Sequence, residues 1–381
     1  MSGTTTQRLI AIDALRGLVM LLMLLDHVRE TFYLHLQLSD PIDVNTTQPA
    51  LFISRTLAHL CAPVFVFLTG LSAALYWQRC GGRRQTALFL LKRGLFLVAL
   101  ELTLVNFAWT FEFPPHTLYL QVIWAIGLSM IALSLLLWLP PVLLIACGVV
   151  IVAGHNLLDS LHAAPDSSWF IPWAILHDRS WLTVGDALRI RTSYPVLPWI
   201  GVIALGFAAG ALYRPAHQQD RRKTLAWLAA GLLAAFFLLR MINGYGEKPW
   251  MPGERLSATL MSFFNITKYP PSLLFLCLTL GIGLALLALF EYPRLNSLIT
   301  LLAAFGAAPM FFYLVHLYLL KGLYLSAVAI WGKNYGEWFG FSAVWQLWLC
   351  TLALAVILFC PVRAFARLKA QRRDLRWLRY F

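Results

Sequence analysis

The chain has 381 residues, of which 60% are hydrophobic and only 12% charged, and its mean hydropathy is +0.71. A soluble domain carries about 25% charged residues, so these values exclude an ordinary soluble enzyme and specify an all-α polytopic membrane protein, read as one domain over 1–381. The net charge of +13 does not point to nucleic acid, because the basic residues gather between apolar runs and in the tail from Arg363 onward.

Ten spans are expected, at about 9–29, 56–77, 88–108, 117–137, 141–158, 196–213, 224–242, 271–290, 306–331 and 342–362. A short interfacial helix is expected at 293–304. The first span is too long and too charged for a cleavable signal and reads as a retained helix. It carries Asp13, Arg16, Asp26 and His27. A charge at membrane depth costs at least ~2.5–3.5 kcal/mol, so each needs a partner or a purpose. Eleven helical steps return to within about 20° of the start, which places Arg16 and His27 on one face, roughly 16 Å apart. The six cysteines lie mostly in or beside apolar runs without a CxxC pair, so neither a disulfide framework nor a zinc site is expected.

Lys and Arg set the orientation. With a cytoplasmic N-terminus, the inner segments hold Arg8, the group Arg79 to Arg93, the group Arg214 to Lys223, Arg294 and the tail. Asp40, Asp43, Glu112, Asp159, Asp166, Asp178, Asp186, Glu247 and Glu254 fall on the other side. Both termini are therefore expected in the cytoplasm, with Trp377 and Tyr380 of the tail against the anionic leaflet. The long outer segments 30–55, 159–195 and 243–270 are rich in Trp, Pro, Asp and Tyr. They suit stacking on sugar rings or, equally, an interfacial aromatic belt.

Several polar and ionisable side chains then fall toward the outer side, namely His27, His59, Glu101, Asn106, Arg240, Lys268, Tyr269 and Lys321, with His316 nearer mid-depth. Isolated accidents explain such a set poorly, and a wet cavity opening outward explains it better. Each has a plainer reading as well. Asp13 and Arg16 stand at the spacing of a local ion pair, Asp26–His27 of an interfacial cap, and Lys321 can snorkel. His59 suits a structural hydrogen bond and Glu101 a packing pair with a neighbouring basic residue, while His316 shares a face with Tyr313. Lys268-Tyr-Pro-Pro-Ser272 is a helix start, and Gly206-Phe-Ala-Ala-Gly210 a close helix contact. There is no Walker loop, GxSxG elbow, HExxH or dinucleotide fingerprint, so a histidine base acting on an activated thioester is the chemistry left open.

Ile12-DALRGLVMLLMLLDHVR-Glu30, Ala62-PVFVFLTGLS-Ala73, Gln121-VIWAIG-Leu128, Thr267-KYPPSLLF-Leu276 and Phe305-GAAPMFFYLVH-Leu317 carry a family likeness. In this order they resemble the bacterial heparan-α-glucosaminide N-acetyltransferase-like proteins of the transmembrane acyltransferase superfamily. The resemblance implies transfer of an acyl group, expected to be acetyl, from cytoplasmic acyl-CoA to a periplasmic or surface carbohydrate amine or hydroxyl. It also implies a bacterial inner membrane protein, with no metal. The Arg16-to-His27 interval is similar to the arginine–histidine motif of the O-acyltransferase branch. Aligned on Pro63, this chain has no histidine at the place of the lysosomal enzyme's acetyl-transfer histidine, so that role is not carried over.

On this reading His27 is the general base, with Asp26, Glu101 and His316 around it as catalytic groups. Arg16 and Asp13 serve acetyl-CoA. His59, Asn106, Arg240, Lys268, Tyr269 and Lys321 serve the acceptor or the oxyanion. Direct transfer and a transient acetyl-histidine both remain open, as does a homo-oligomer. The rival classes are a proton-coupled secondary transporter using the same His and Glu residues and a non-catalytic assembly partner.

Overall fold

The computed structural model describes every residue except Met1, Ser2, Asp186, Pro293, Arg294, Arg373, Arg376, Trp377 and Arg379 to Phe381, with backbone alone over 3–9. Trp377 and Tyr380 of the expected tail contact, and Asp186, Arg294 and the Arg8 side chain of the charge pattern, therefore lie outside the described residues.

The helices are α1 (Gly3–Phe32), α2 (Pro49–Ala58), α3 (Cys61–Cys80), α4 (Arg83–Leu100) and α5 (Asn106–Thr110). Next come α6 (Val122–Leu136), α7 (Pro141–Gly154), α8 (Phe170–Leu176), α9 (Leu197–Ala209) and α10 (Arg221–Ile242). The last are α11 (Leu256–Phe264), α12 (Leu273–Phe290), α13 (Asn296–Gly306), α14 (Pro309–Trp331) and α15 (Val344–Gln371). Proline opens α2, α7 and α14, where its missing N–H and fixed φ cost nothing. Between α4 and α5 the chain makes one π-turn, Glu101–Val105, which holds one residue more than an α-turn would.

The protein is a multi-pass membrane protein. Among the described residues, six helical stretches are long and apolar enough to cross a bilayer: 49–80, 141–158, α10, α12, α14 and α15. The other expected spans are helical too. However, α1 and α4 carry several charges, and α6, the 197–213 stretch and α13 are short. Two expectations are corrected in detail. The ninth span begins at Pro309 rather than 306, because the short helix expected before it runs on to Gly306. The fourth loses its first residues to a strand, since Thr117-Leu-Tyr119 alternates polar and apolar side chains and pairs as β1. Strands β2 (Trp181–Val184) and β3 (Leu188–Arg191) complete a sheet ordered β1-β3-β2 that the all-α expectation lacked.

Contacts divide the chain into two compact units. Unit one comprises Met1–Cys61, Met251–Asn265 and Gly283–Phe381, and unit two Ala62–Trp250 and Ile266–Ile282. In unit one α1 is the hub, packing on α2, α13, α14 and α15. Its closest crossing is with α13. A Cβ on Gly17 would strike the Leu302 carbonyl, and one on Gly306 would strike the Asp13 carbonyl. In unit two α4 packs on α6, and α9 on both α6 and α7. There a Cβ on Gly206 would meet the Phe67 carbonyl and one on Gly210 the Ala74 Cβ, so this glycine pair serves close helix packing.

Gly17→Ala and Gly306→Ala should each destabilise the detergent-solubilised protein by about 1–3 kcal/mol, the cost of overpacking a filled contact. Gly231→Ala, at an α10 position where a Cβ meets nothing, should be neutral or mildly stabilising. Chemical unfolding curves of the three variants check the contrast.

Candidate active site

The site of unit one is built on the last turns of α1. Asp26 and His27 are consecutive, so they leave the helix about 100° apart and face different neighbours. Asp26 faces α2. One carboxylate oxygen accepts from Arg29 at 2.9–3.0 Å and the other from Arg55 at 2.5 Å. Arg29 also pairs with Glu30 at 3.1 Å. The side chains of Asp26, Arg29 and Arg55 are each 8% exposed and that of Glu30 34%, so the two guanidiniums meet one buried carboxylate and one at the rim, and the four charges cancel. Cancellation is what makes so many charges tolerable on an otherwise apolar helix.

His27 faces α14. Its Nδ1 lies 2.7 Å from Nε2 of the fully buried His316, and the two rings are stacked 12° from parallel. Tyr313 stands edge-on to both imidazoles. The proton positions follow from His316 Nδ1, which lies 2.7 Å from the Phe312 carbonyl. A carbonyl only accepts, so His316 carries its proton on Nδ1 and accepts on Nε2. His27 must then donate from Nδ1, which leaves the basic lone pair on its Nε2. In this way His316 fixes the tautomer and plane of His27. Asp26 and Glu101 were expected beside His27 together with His316. The Asp26 oxygens are engaged by the two arginines, and within unit two Glu101 accepts the Trp124 N–H.

Arg16 binds Asp13 at 2.6 Å and reaches the Gly306 carbonyl at 3.3 Å, at the C-terminal end of α13 where a cation is favoured. Arg16 and His27 thus both meet the α13–α14 stretch, and their shared face of α1 is covered by protein. His59 is buried at the joint between α2 and α3, and Lys321 is half-buried on α14. Arg29 and Arg55 escaped notice in the sequence. The Asp26–Arg29 spacing was a legible signal, whereas nothing local marks Arg55. His35 also escaped. It stacks on Tyr335 at 3.8 Å, and its buried Nδ1 has no hydrogen-bond partner among the described residues. Burial holds its pKa below the ordinary histidine value, so the ring is neutral at pH 7.

The remaining expected residues lie in unit two, where several do structural work. Asn106 donates to the Thr117 carbonyl and accepts from the Tyr119 N–H, clamping β1 with both amide atoms. Arg240 binds the Lys248 carbonyl at 2.7 Å, and its own carbonyl accepts from the Trp250 indole, which closes the turn after α10. Glu101 opens the π-turn, fully buried. One of its oxygens caps α6 by accepting the Trp124 N–H, and the other has no hydrogen-bond partner among the described residues. Lys268 lies over the rings of Tyr269 and Tyr194. Just beyond them Ser272 receives the Phe275 N–H and donates to Glu247, which starts α12. No group of three or more His, Cys, Asp or Glu among the described residues is arranged to hold a metal ion.

The family model described as heparan-alpha-glucosaminide N-acetyltransferase, catalytic, matches residues 8–240. The chain belongs to this family. No curated protein matches it. Membership of the heparan-α-glucosaminide N-acetyltransferase family makes the protein a membrane enzyme of the acetyltransferase type. The matched stretch contains α1 with Asp26 and His27, whereas His316 lies beyond it.

Arg55→Ala should destabilise this acetyltransferase by about 3–5 kcal/mol, because it leaves the buried Asp26 sharing a single guanidinium with Glu30. Adding Asp26→Asn should recover much of the loss in thermal unfolding of the detergent-solubilised protein.

A second expectation concerns the segment between α7 and α9. There His177 is 1% exposed, with Nε2 3.3 Å from Asp159 and Nδ1 3.5 Å from Asp178, which also holds His162. Burial alone would lower the His177 pKa, but the hydrogen bond to Asp159, with those to the His155 carbonyl and to Asp178, raises it overall. A raised folded-state pKa stabilises below the unfolded value of about 6.5 and ceases to do so as pH rises through the folded value. Hydrogen exchange over 159–180, corrected for intrinsic rates, should therefore show loosening from pH 6 to 8.5, and His177→Asn should flatten that dependence.

Proposed function

We propose that the protein transfers an acetyl group from acetyl-CoA to an amine or hydroxyl of a carbohydrate, at a bacterial inner membrane with both termini in the cytoplasm. The observation that carries the reading is the His27–His316 pair, supported by the family match. Acetyl-CoA is taken as donor and a carbohydrate as acceptor because those are the partners the family implies.

His27 Nε2 accepts the proton of the acceptor N–H or O–H as that atom attacks the thioester carbonyl. The C–N or C–O bond forms, the C–S bond breaks, and the proton passes from His27 to the departing thiolate. His316 is a positioning residue that keeps the His27 lone pair on Nε2 through both proton transfers. Lys321, half-buried on α14, is a candidate donor to the oxyanion. Arg16 is already held by Asp13 and the Gly306 carbonyl, so guiding the CoA arm inward requires that pair to open. His59, Lys268 and Tyr269 remain candidates for acceptor contacts. Asn106 and Arg240 are engaged with backbone and are assigned no chemical role.

One observation favours a second candidate for the base, the neutral His35, whose buried Nδ1 has no hydrogen-bond partner among the described residues. A single experiment separates the two. The full chain in nanodiscs is incubated with labelled acetyl-CoA and a panel of amino sugars and glycans. A general base contributes about 10²–10⁴-fold. His27→Ala should lose that factor and His316→Asn should reduce kcat with little change in KM, while His35→Ala stays within a few-fold of wild type. Loss confined to His35→Ala would transfer the role to His35. Substrate uptake into proteoliposomes without CoA release would point to transport.

A further inference from the structure

Strands β1, β2 and β3 are short, but their register sorts side chains cleanly. Tyr119, Arg191 and Trp181 form one cross-strand row, and Thr117, Arg189 and Thr183 the next. Side chains alternate along a strand, so these two rows share a face, and Leu118, Ile190 and Leu182 occupy the other. One side of the sheet is apolar, and the opposite side offers only cations, rings and hydroxyls.

On the polar side, the guanidinium carbons of Arg189 and Arg191 lie 4.5 and 5.0 Å from the Trp181 ring centroid, with Tyr119 edge-on to the same ring. Arg179, two residues before Trp181, lies 4.6 Å over Tyr269, whose ring is also 5.1 Å from the Lys268 ammonium. The Tyr269 hydroxyl donates to that of Tyr194, which steadies the shelf. None of Arg179, Arg189 and Arg191 forms an ion pair among the described residues. Burial, and then the charge of Arg179, pulls the Arg191 pKa down from its ordinary value. Stacking uses the flat faces of Arg189 and Arg191 and leaves N–H donors along their edges. That geometry suits a tetrahedral oxyanion. A phosphate ester carries one negative charge as a diester and about 1.5–2 as a monoester at pH 7, on tetrahedrally placed oxygens that several guanidinium edges can share.

We infer that this face of the sheet is a binding site for a phosphate ester, the arginine edges holding the phosphate while Trp181 and Tyr269 offer ring surface to the group that bears it. Lys268 and Tyr269 immediately precede α12, a candidate span, so two sources meet the same chemistry: a phosphorylated sugar in solution or a phospholipid headgroup. The site rests on the acceptor reading only for Lys268 and Tyr269. Its test uses no acyl donor, so its failure and that of acetyl transfer are read separately.

The full chain is placed in phosphatidylcholine nanodiscs and titrated calorimetrically with glucosamine 6-phosphate and with glucosamine. In parallel, retention of phosphatidylglycerol is followed by native mass spectrometry. A soluble source predicts saturable binding of the phosphosugar alone, weakened at least tenfold in Arg189→Gln/Arg191→Gln. Arg179→Gln/Arg189→Gln should weaken it as well, and it removes two exposed side chains whose loss cannot unfold the core. A lipid source predicts no calorimetric signal but retained phosphatidylglycerol, lost in both double variants. Binding of neither probe, or binding unchanged in both variants, overturns the site.

Discussion

A carboxylate inside an apolar helix must be neutralised by its own protein, and Asp26 is neutralised from two directions. Arg29 comes from the next turn of α1 and Arg55 from α2, and with Glu30 the group sums to zero. The solution fixes the roll of α1 about its axis, since Asp26 has to face α2. His27, one residue on, is thereby turned about 100° toward α14 and onto His316. The arrangement of the imidazoles follows from where the buried charge found its partners.

A second constraint works lower on the same helix. Gly17 and Gly306 let α1 and α13 meet backbone to backbone, which brings the end of α13 within reach of Arg16. Only two residues, Ala307 and Ala308, separate Gly306 from the first turn of α14, so the crossing also sets where that helix begins. The glycine contact and the charge network thus grip α1 at two heights, and the His27–His316 pair stands beside the second of them.

Much of this was legible in the sequence. Asp13–Arg16 and Asp26–Arg29 are helical spacings, and the placement of Arg16 and His27 on one face follows from 100° per residue. The GFAAG pair read correctly as a packing device. The rest depends on contacts between residues far apart in the chain. Arg55 meets Asp26 across 29 positions and His316 meets His27 across 289, and no local pattern encodes either. The sheet was missed for a different reason. Three- and four-residue strands alternate too briefly to stand out beside long apolar runs, although Leu188-Arg-Ile-Arg191 carries the pattern. Asn106 looked like a ligand group because an amide in an apolar stretch needs partners, and it finds both in the backbone of β1.

The histidine pair also bears on the choice between catalysis and proton transport. Proton passage through a membrane requires each relay member to receive at one atom and release at another, toward a further acceptor. His316 receives from His27 at Nε2, but its Nδ1 is already committed to the Phe312 carbonyl of its own helix, and a carbonyl does not accept a proton at neutral pH. A proton taken up by His27 therefore has a well-held donor pair behind it and no continuing path through His316. Such a pair favours borrowing a proton and returning it at the same nitrogen, which is what acyl transfer to an amine or hydroxyl demands of its base.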